Sequence, residues 1–313
     1  MLNSRIHKSK NKIYYNFYFL RILLIVFILP LTFIFSSFAL SGCNSNNENV
    51  VDLVIFMGQS NMAGRGDYKE ATKVKKGHGY EFRAVSDPTK LYDIGDKPFG
   101  INENRGDIYE DTKTGSMVPA IMSSYYKKTG VPIVGVSSSK GGTGIEFWMP
   151  GSNAMKESVK RYKLAKEFLE NNGYTIRRQF MVWCQGETDG GKGMESDVYK
   201  TKLIEVFAEM KDVGIEKCMV VRIGNHRDNP TLYDKIILAQ TKLCMENDDF
   251  VLVSAKLASM AEDGLMKDEY HYVQKGYNIV GKDVGKNMAY FVKKNEKPSF
   301  YDPEYKKDYP FEI

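Results

Sequence analysis

The sequence VVDLVIFMGQSNMAGRG, residues 50–66, joins a strongly apolar run to a small, glycine-flanked serine, Ser60. The run Val51–Met57 is mostly β-branched and aliphatic, which is typical of a strand buried on both faces of a parallel sheet. Gly, Ser and Asn are also ordinary turn residues, so Ser60 alone favours a simple strand-ending turn. The alternative is a nucleophile held at the mouth of a sheet, and residues elsewhere in the chain must decide between these interpretations.

Four further apolar, β-branched runs are predicted to be strands: Pro132–Ser137, Arg178–Cys184, Lys217–Ile223 and Phe250–Ser254. Helix-period stretches lie at Met117–Lys128, Asn153–Asn172, Glu195–Lys211, Leu232–Glu246 and Gln274–Lys294. Because strands and helices alternate, we predict an α/β fold in which five parallel strands lie between two helical layers. The long segment 67–116 lacks this alternation, and we expect a structured excursion near the functional edge of the sheet, since idle loops of that length are uncommon.

The first 43 residues have the pattern of an export signal. Five basic side chains lie before residue 22, residues 22–40 carry no charge, and Leu40-Ser41-Gly42-Cys43 follows. This ending resembles a bacterial lipobox, in which Cys43 becomes the lipid-bearing first residue and residues 44–49 form a polar tether. The competing interpretation is an uncleaved anchor, because the 19 uncharged residues approach the ~20 needed to span a bilayer. We expect an exported, extracytoplasmic lipoprotein of a bacterial cell envelope, anchored to the membrane.

Charge and cysteine content argue against two other classes of protein. The chain has 44 Lys and Arg and 39 Asp and Glu, but five of the basic residues lie in the leader, so the remainder is balanced at 39 of each. This balance gives no indication of nucleic-acid binding. Cys184, Cys218 and Cys244 match no zinc or redox spacing, and we predict three buried thiols in preference to one disulfide. The remaining ~270 residues suffice for one large domain, placed at 50–297, with a surface tail at 298–313.

Polar residues follow the predicted strands at their carboxyl ends. Ligands of an open α/β sheet bind beyond those ends, because the loops there converge on one crevice. The polar segments are Gly58–Asn61, Ser137–Gly144, Trp183–Asp189 and Gly224–His226, with Lys267–His271 beyond the fifth strand. We therefore expect these segments to meet at one edge of the sheet.

A nucleophilic serine needs a base to take its proton and a group that orients the base. His271 is the strongest candidate, because Asp268 lies three residues earlier, a spacing that puts both side chains on one side of a helical turn. The Asp268 carboxylate would then hold the imidazole N–H. His226 is the second candidate and lacks an acid at that spacing, while His78 is expected to be a loop residue.

Acyl transfer also needs donors for the developing oxyanion. The natural donors are the Ser60 backbone N–H, a glycine N–H from Gly141 or Gly142, and the side-chain amide of Gln185. The paired glycines suit this role because no Cβ prevents their backbone from approaching an anion.

Several neighbouring residues have two interpretations each. Glu187 and Asp189 follow a strand and are consistent with simple caps, but we favour a supporting role for Glu187 in fixing the adjacent amide or the serine loop. Gln59 and Asn61, which flank the serine, are also predicted to support it. Trp148 is predicted either to wall a sugar-sized pocket or to pack in the core.

Four blocks of the sequence resemble a known superfamily. They are GQSNMAGRG, GGTGIEFW, WCQGETD and DEYHYVQKGY, in that order, within Val51 to Gly281. They are similar to the successive blocks of the SGNH hydrolase superfamily, in the branch of sialate O-acetylesterases and acetylxylan esterases. The resemblance implies a flavodoxin-like three-layer α/β/α sandwich, serine esterase chemistry and no metal or organic cofactor.

The same resemblance implies roles for individual residues. Ser60 matches the nucleophile, the glycine pair of the second block the second oxyanion donor, and Gln185 the third. Asp268 and His271 match the rest of the triad. The broader superfamily usually has an asparagine where this chain has Gln185, so this chain differs from it at the third oxyanion donor.

These observations predict a lipid-tethered carbohydrate O-acetylesterase that acts on an acetylated carbohydrate. Sialic acid, xylan or another glycan remains open as the carrier of the acetyl group. One alternative is an esterase or lysophospholipase for longer acyl chains, which would need a deep apolar groove beside Ser60. Another is a non-catalytic, glycan-binding surface lipoprotein, since a fold does not dictate a function.

Overall fold

The computed structural model describes residues 49–110 and 112–312. The predicted signal, Cys43 and residues 44–48 of the tether lie outside the described residues. No helix within the described ranges is long and apolar enough to cross a membrane.

The secondary structure follows the predicted alternation. The strands are β1 Val50–Gly58, β2 Gly79–Arg83, β3 Asp87–Asp93, β4 Ile133–Ser139, β5 Thr175–Cys184, β6 Lys217–Val221, β7 Phe250–Ser254, β8 Phe300–Asp302 and β9 Lys307–Tyr309. The α-helices are α1 Ser60–Ala63, α2 Val118–Thr129, α3 Asn153–Asn171, α4 Glu187–Gly191, α5 Ser196–Asp212, α6 Asp234–Glu246 and α7 Gln274–Lys294. Short 3-10 turns occupy Tyr68–Glu70, Ile101–Glu103, Gly106–Ile108, Ile145–Trp148 and Lys256–Ser259.

The central sheet has the order β3-β2-β4-β1-β5-β6-β7. The five predicted strands, β1 and β4 to β7, pair in parallel. Among these five strands the order is β4-β1-β5-β6-β7, so the second of them in the chain lies outside the first. This is the flavodoxin-like order. The α/β prediction is therefore confirmed, although the sheet has seven strands and not five.

The two additional strands come from the segment 67–116. β2 pairs in parallel with β4, and β3 pairs with β2 antiparallel at the edge of the sheet. β3 has the sequence DPTKLYD and is mostly exposed or half-buried. An edge strand of that composition lacks the continuous apolar run of a buried strand, so its sequence does not predict it.

Alternate residues of β1 point into two separate hydrophobic cores. Leu53, Ile55 and Met57 pack with α3, α5 and α6 on one face of the sheet. Val54 and Phe56 pack with α2 and α7 on the other face. Because both faces of β1 are covered, its sequence is one nearly continuous run of apolar residues.

The C-terminal segment, predicted as a surface tail, consists mostly of exposed and half-buried residues and is anchored to the domain by a few buried side chains. β8 and β9 form an antiparallel hairpin. Asp302 of β8 is fully buried and accepts two hydrogen bonds from the Arg222 guanidinium, which is also fully buried. Tyr309 is buried as well, and its hydroxyl donates to the Cys244 carbonyl. An ion pair and an aromatic ring therefore hold the tail against the domain.

The three cysteines outside the leader are free and buried. Burial raises the pKa of each thiol, so they are protonated at neutral pH. They pack as small hydrophobic side chains, as predicted.

Removing the Asp302 carboxylate tests how firmly the tail is held. Asp302→Ala leaves the Arg222 charge buried and unpaired, and we expect a loss of about 3 to 5 kcal/mol in the free energy of unfolding. Lys235→Ala breaks an exposed ion pair with Glu195 and should cost less than about 1 kcal/mol. Urea unfolding of both variants measures the difference, and equal losses would contradict the account.

Candidate active site

Three predicted residues form one hydrogen-bonded chain. His271 Nε2 lies 2.9 Å from the Ser60 hydroxyl oxygen. His271 Nδ1 lies 2.8 Å from an Asp268 carboxylate oxygen. With Nδ1–H donating to the carboxylate, Nε2 is free to accept the serine proton. The arrangement can make a serine hydroxyl nucleophilic.

Ser60 is positioned by the end of β1. Gly58 has φ +137 and passes so close to β5 that a Cβ there would lie 2.1 Å from the Cys184 carbonyl oxygen. The Gln59 N–H then donates to that same carbonyl, at 3.0 Å. Glycine is needed here because a side chain would clash and because the φ is positive. The chain therefore turns sharply and places Ser60 at the carboxyl edge of the sheet.

A tight turn, and not the expected helical turn, brings Asp268 to His271. One carboxylate oxygen of Asp268 accepts hydrogen bonds from the backbone N–H groups of Tyr270 and His271, at 3.0 and 2.7 Å. Aspartate commonly closes such turns with its own side chain. The other carboxylate oxygen remains available for the imidazole. The three-residue spacing thus brings Asp268 and His271 together in a tight turn and not in the helical turn that was predicted.

The surroundings keep the imidazole neutral and the carboxylate ionised. Burial lowers the pKa of His271, and the nearby Arg65 and Lys267 charges add to this effect, while Asp268 opposes it. Burial alone would raise the pKa of Asp268, but hydrogen bonds from two backbone N–H groups and from the imidazole outweigh it and lower that pKa. At neutral pH the His271 imidazole is therefore in the form that can accept a proton.

Asn61 connects the serine turn to the histidine loop. Its amide nitrogen donates to Glu187 at 2.6 Å and to the Tyr270 carbonyl at 3.0 Å. Its amide oxygen accepts from the Tyr277 hydroxyl at 2.7 Å. Asn61 is fully buried, so these bonds are shielded from water. The structure thus places Asn61 and Glu187 where a supporting role was predicted.

Glu187 is a buried carboxyl group with few partners. Burial raises the pKa of Glu187 to about 7, although the Asn61 amide works against this rise. One of its oxygens has no hydrogen-bond partner among the described residues. This carboxyl group therefore changes its protonation near neutral pH, immediately behind the serine turn.

Gly141 does not have a free N–H, which corrects one predicted oxyanion donor. Its N–H donates to the Glu110 carboxylate, and Glu110 in turn pairs with Arg65 at 3.0 Å. Burial opposes ionisation of Glu110, but the Thr112 hydroxyl, Arg65 and the Gly141 N–H lower its pKa to about 2. Gly142 has φ +71 and lines the cavity. Of the glycine pair, Gly142 is the remaining candidate donor.

Gln185 lies beneath the site and not in it, which corrects a second predicted donor. The side chain is fully buried. Its amide nitrogen donates to the Thr143 carbonyl at 3.0 Å, to the Gln59 side-chain oxygen at 3.2 Å and to Asp189. Both amide N–H groups are occupied by protein acceptors, so neither is available to a substrate.

Trp148 packs in the core, so the predicted pocket wall lies elsewhere. The ring is fully buried, stacks edge-on against Trp183 and donates its N–H to the Thr143 hydroxyl at 3.2 Å. Tyr233 and Tyr270 are the aromatic residues that line the cavity. The Tyr270 side chain is 42% exposed, which makes its ring accessible from solvent.

The two other described histidines make no hydrogen bond to the Ser60 hydroxyl, whose histidine partner is His271. His226 Nδ1 accepts hydrogen bonds from the backbone N–H groups of Asp228 and Asn229, at 3.2 and 3.1 Å. His78 stacks on Tyr126 with 3.7 Å between ring centroids. Neither imidazole is placed to take the Ser60 proton.

The site opens into a cavity of about 280 Å³. Its lining residues are Gln59, Ser60, Arg65, Gly142, Glu187, Thr188, Tyr233, Tyr270 and His271. Sequence reasoning missed Arg65, Thr188, Tyr233 and Tyr270 as lining residues, and Glu110 behind them. Arg65 lies inside the block GQSNMAGRG and Tyr270 lies between Asp268 and His271, so their positions in the sequence could have indicated that they line the site.

The fold and this site define a carboxylic ester hydrolase of the SGNH type. The profile of the family described as "Carbohydrate esterase, sialic acid-specific acetylesterase" matches residues 50–290. The chain belongs to this family and is a carbohydrate acetylesterase. No curated protein sequence matches the chain.

Comparison with solved structures gives one match that shows the fold and several with lower scores. A protein from Arabidopsis thaliana superposes with a TM-score of 0.60 at 19% identity, covering 77% of this chain and 98% of that one, which establishes a shared fold. A carbohydrate acetylesterase from Xanthomonas citri gives 0.48 at 16% identity, covering 80% and 60% of the two chains. An acetylxylan esterase from Geobacillus stearothermophilus gives 0.44 at 11% identity, covering 76% and 95%.

Titration of His271 tests the electrostatics of the site. The imidazole should have a pKa below 6.5, measured by NMR on protein with labelled histidine. Because the Asp268 charge and hydrogen bond raise this pKa, Asp268→Asn should lower it further. Asp228→Asn, beside His226, should leave the His271 titration unchanged. A rise of the pKa in Asp268→Asn would contradict the account.

Proposed function

We propose that the protein removes O-acetyl groups from carbohydrates with Ser60 as nucleophile. The observation that supports this most strongly is the hydrogen-bonded chain from Ser60 through His271 to Asp268, with distances of 2.9 and 2.8 Å. Such a chain supplies the nucleophile, the base and the group that orients the base.

The reaction proceeds through an acetylated serine. The Ser60 oxygen attacks the acetyl carbonyl while His271 Nε2 takes its proton, and the carbonyl π electrons move to the oxygen. The tetrahedral intermediate collapses, His271 gives its proton to the departing sugar oxygen, and acetyl-Ser60 remains. A water molecule, deprotonated by His271, then attacks the acetyl group. Collapse of the second intermediate returns the proton to Ser60 and releases acetate.

Backbone donors for the oxyanion lie beside the nucleophile. Ser60 begins a helix, and the first N–H groups of a helix have no partner within it. Neither the Ser60 N–H nor the Gly142 N–H donates to an acceptor within the described residues, and both residues line the cavity. These two N–H groups are suited to stabilise negative charge on the former carbonyl oxygen.

The cavity suits a short acyl group attached to a sugar. Its walls are polar side chains and tyrosines, with an exposed ring at Tyr270. Aromatic faces of this kind pack well against apolar faces of ligands. A longer acyl chain would need an aliphatic groove, and the residues that line this cavity provide none. The lysophospholipase and binding-only alternatives therefore have no supporting observation.

Export and lipidation of Cys43 are a separate proposal, supported by the sequence pattern of residues 1–43 alone. The proposed enzyme would act outside the cytoplasm, tethered to a membrane through that lipid. Mass spectrometry of the N-terminal peptide should find a diacylglycerol group on Cys43. An unprocessed N-terminus would overturn the proposal.

Ser60→Ala tests the proposed reaction. We expect loss of acetate release by about 10⁶-fold, because removal of a nucleophile of this kind leaves only residual catalysis. The melting temperature should change little, since the hydroxyl makes no structural bond besides that to His271 among the described residues. Acetate release should be measured on acetylated sialic acids and acetylated xylo-oligosaccharides, which also identifies the substrate.

Ser123→Ala is the matched control, because Ser123 lines a different cavity, on α2. It should release acetate at the wild-type rate. Full activity in Ser60→Ala would exclude the proposed nucleophile.

A further inference from the structure

The side chain of Gln59 is held in one orientation by the loop after β5. Its amide oxygen accepts from the backbone N–H groups of Gly186 and Thr188, at 3.3 and 3.4 Å, and from the Gln185 side chain at 3.2 Å. A backbone N–H can only donate, so the atom that both N–H groups face must be the oxygen. The amide nitrogen therefore occupies the other terminal position, and the usual ambiguity of a glutamine amide does not arise.

The amide nitrogen of Gln59 has no acceptor within the described parts of the chain. Gln59 is only 3% exposed, and it lines the cavity together with Ser60 and His271. The nitrogen is not among the fully enclosed polar atoms that lack a partner, so it is accessible, and the cavity is the open space that Gln59 lines. A nearly buried amide with unused N–H groups at a reaction site is suited to a ligand acceptor that appears there.

The amide nitrogen of Gln185, unlike that of Gln59, has protein acceptors. This nitrogen is saturated by three of them, and the side-chain oxygen of Gln185 accepts from the Tyr199 hydroxyl at 3.1 Å. One of those acceptors is the Gln59 oxygen. Gln185 thus holds Gln59 in place, which makes it a positioning residue for its neighbour.

We propose that the Gln59 amide nitrogen is the third oxyanion donor of this enzyme. The inference rests on the proposed function, because it assigns a role in the same reaction. When the Ser60 oxygen bonds to the acetyl carbon, the carbonyl oxygen gains a full negative charge. A hydrogen bond from the Gln59 amide to that oxygen strengthens at this moment, together with those from the Ser60 and Gly142 N–H groups. The amide itself gains and loses no proton.

The position of Gln59 in the chain suits it to donate to the oxyanion. It directly precedes the nucleophile, so its backbone is fixed by the same bond to the Cys184 carbonyl that positions Ser60. Its side chain is fixed independently by the Gly186 and Thr188 N–H groups. Donors that are held before the reaction need no rearrangement when charge develops, which is the source of their effect.

Gln59→Glu removes the donor and retains the shape. A carboxylate keeps an oxygen for the Gly186 and Thr188 N–H groups, but it presents a second oxygen where the amide nitrogen stood. We expect kcat for acetate release to fall by about 10²- to 10³-fold, with KM changed by less than about threefold, because the donor acts mainly on the transition state. The affinity for an alkylphosphonate transition-state analogue should fall by the same factor as kcat/KM.

Gln179→Glu is the matched control. Gln179 is a half-buried glutamine of β5, bonded to the Tyr162 hydroxyl and remote from the cavity lining. It should keep the wild-type kcat and the wild-type affinity for the phosphonate. Melting temperatures show whether each variant is folded. If Gln59→Glu does not fold, Gln59→Met, which has similar length and no N–H donor, takes its place with the same expected losses.

The outcomes separate this inference from the proposed function. An active wild-type enzyme with a folded, fully active Gln59 variant overturns the role of Gln59 and leaves the esterase proposal intact. A folded wild-type chain that releases no acetate from any acetylated sugar overturns the esterase proposal itself. A parallel fall in kcat and phosphonate affinity, without a fall in melting temperature, supports the inference.

Discussion

The hydrogen bond between the Ser60 hydroxyl and the His271 imidazole is the contact on which the site depends. It joins residues 211 positions apart, and it exists because parallel strands deliver their following turns to one edge of the sheet. Asn61 secures the same junction from behind, since one buried amide bonds the histidine loop, α4 and α7 to the serine turn. The Ser60 and His271 side chains are therefore positioned by the sheet and by a buried polar network.

Two glutamates near the serine show how the surroundings set the charge of the site. Glu110 lies among Arg65, a hydroxyl and a backbone N–H, which lower its pKa to about 2, so it remains an anion that holds the glycine loop. Glu187 is more deeply buried and has one amide partner, and burial raises its pKa to about 7. The same side chain is thus a permanent anion at position 110 and a group that titrates near neutral pH at position 187. This contrast comes from partners and burial, not from residue type.

Periodic features of the sequence predicted the fold well, and side-chain orientation explains what they missed. β7 and α7 have the predicted bounds, because long apolar runs and helical periodicity are properties of local sequence. The strand-end position of Ser60 and the three-residue spacing of Asp268 and His271 also pointed to side chains that lie together in the structure. Spacing could not show that the Gln185 amide faces away from the cavity, because two of its three acceptors, Thr143 and Gln59, are distant in sequence. The position of Glu110 near the site could not be predicted either, because the segment that carries it has no periodic pattern and is placed only by tertiary contacts.

The most direct test of the central claim is the pH dependence of labelling by a fluorophosphonate probe, with the modified residue located by mass spectrometry. We expect one adduct, on Ser60. Its rate of formation should fall as pH decreases through the His271 pKa, which lies below 6.5, because protonated His271 cannot accept the serine proton. Labelling of a different residue, or a rate at Ser60 that is independent of pH between 4 and about 8, would contradict this expectation.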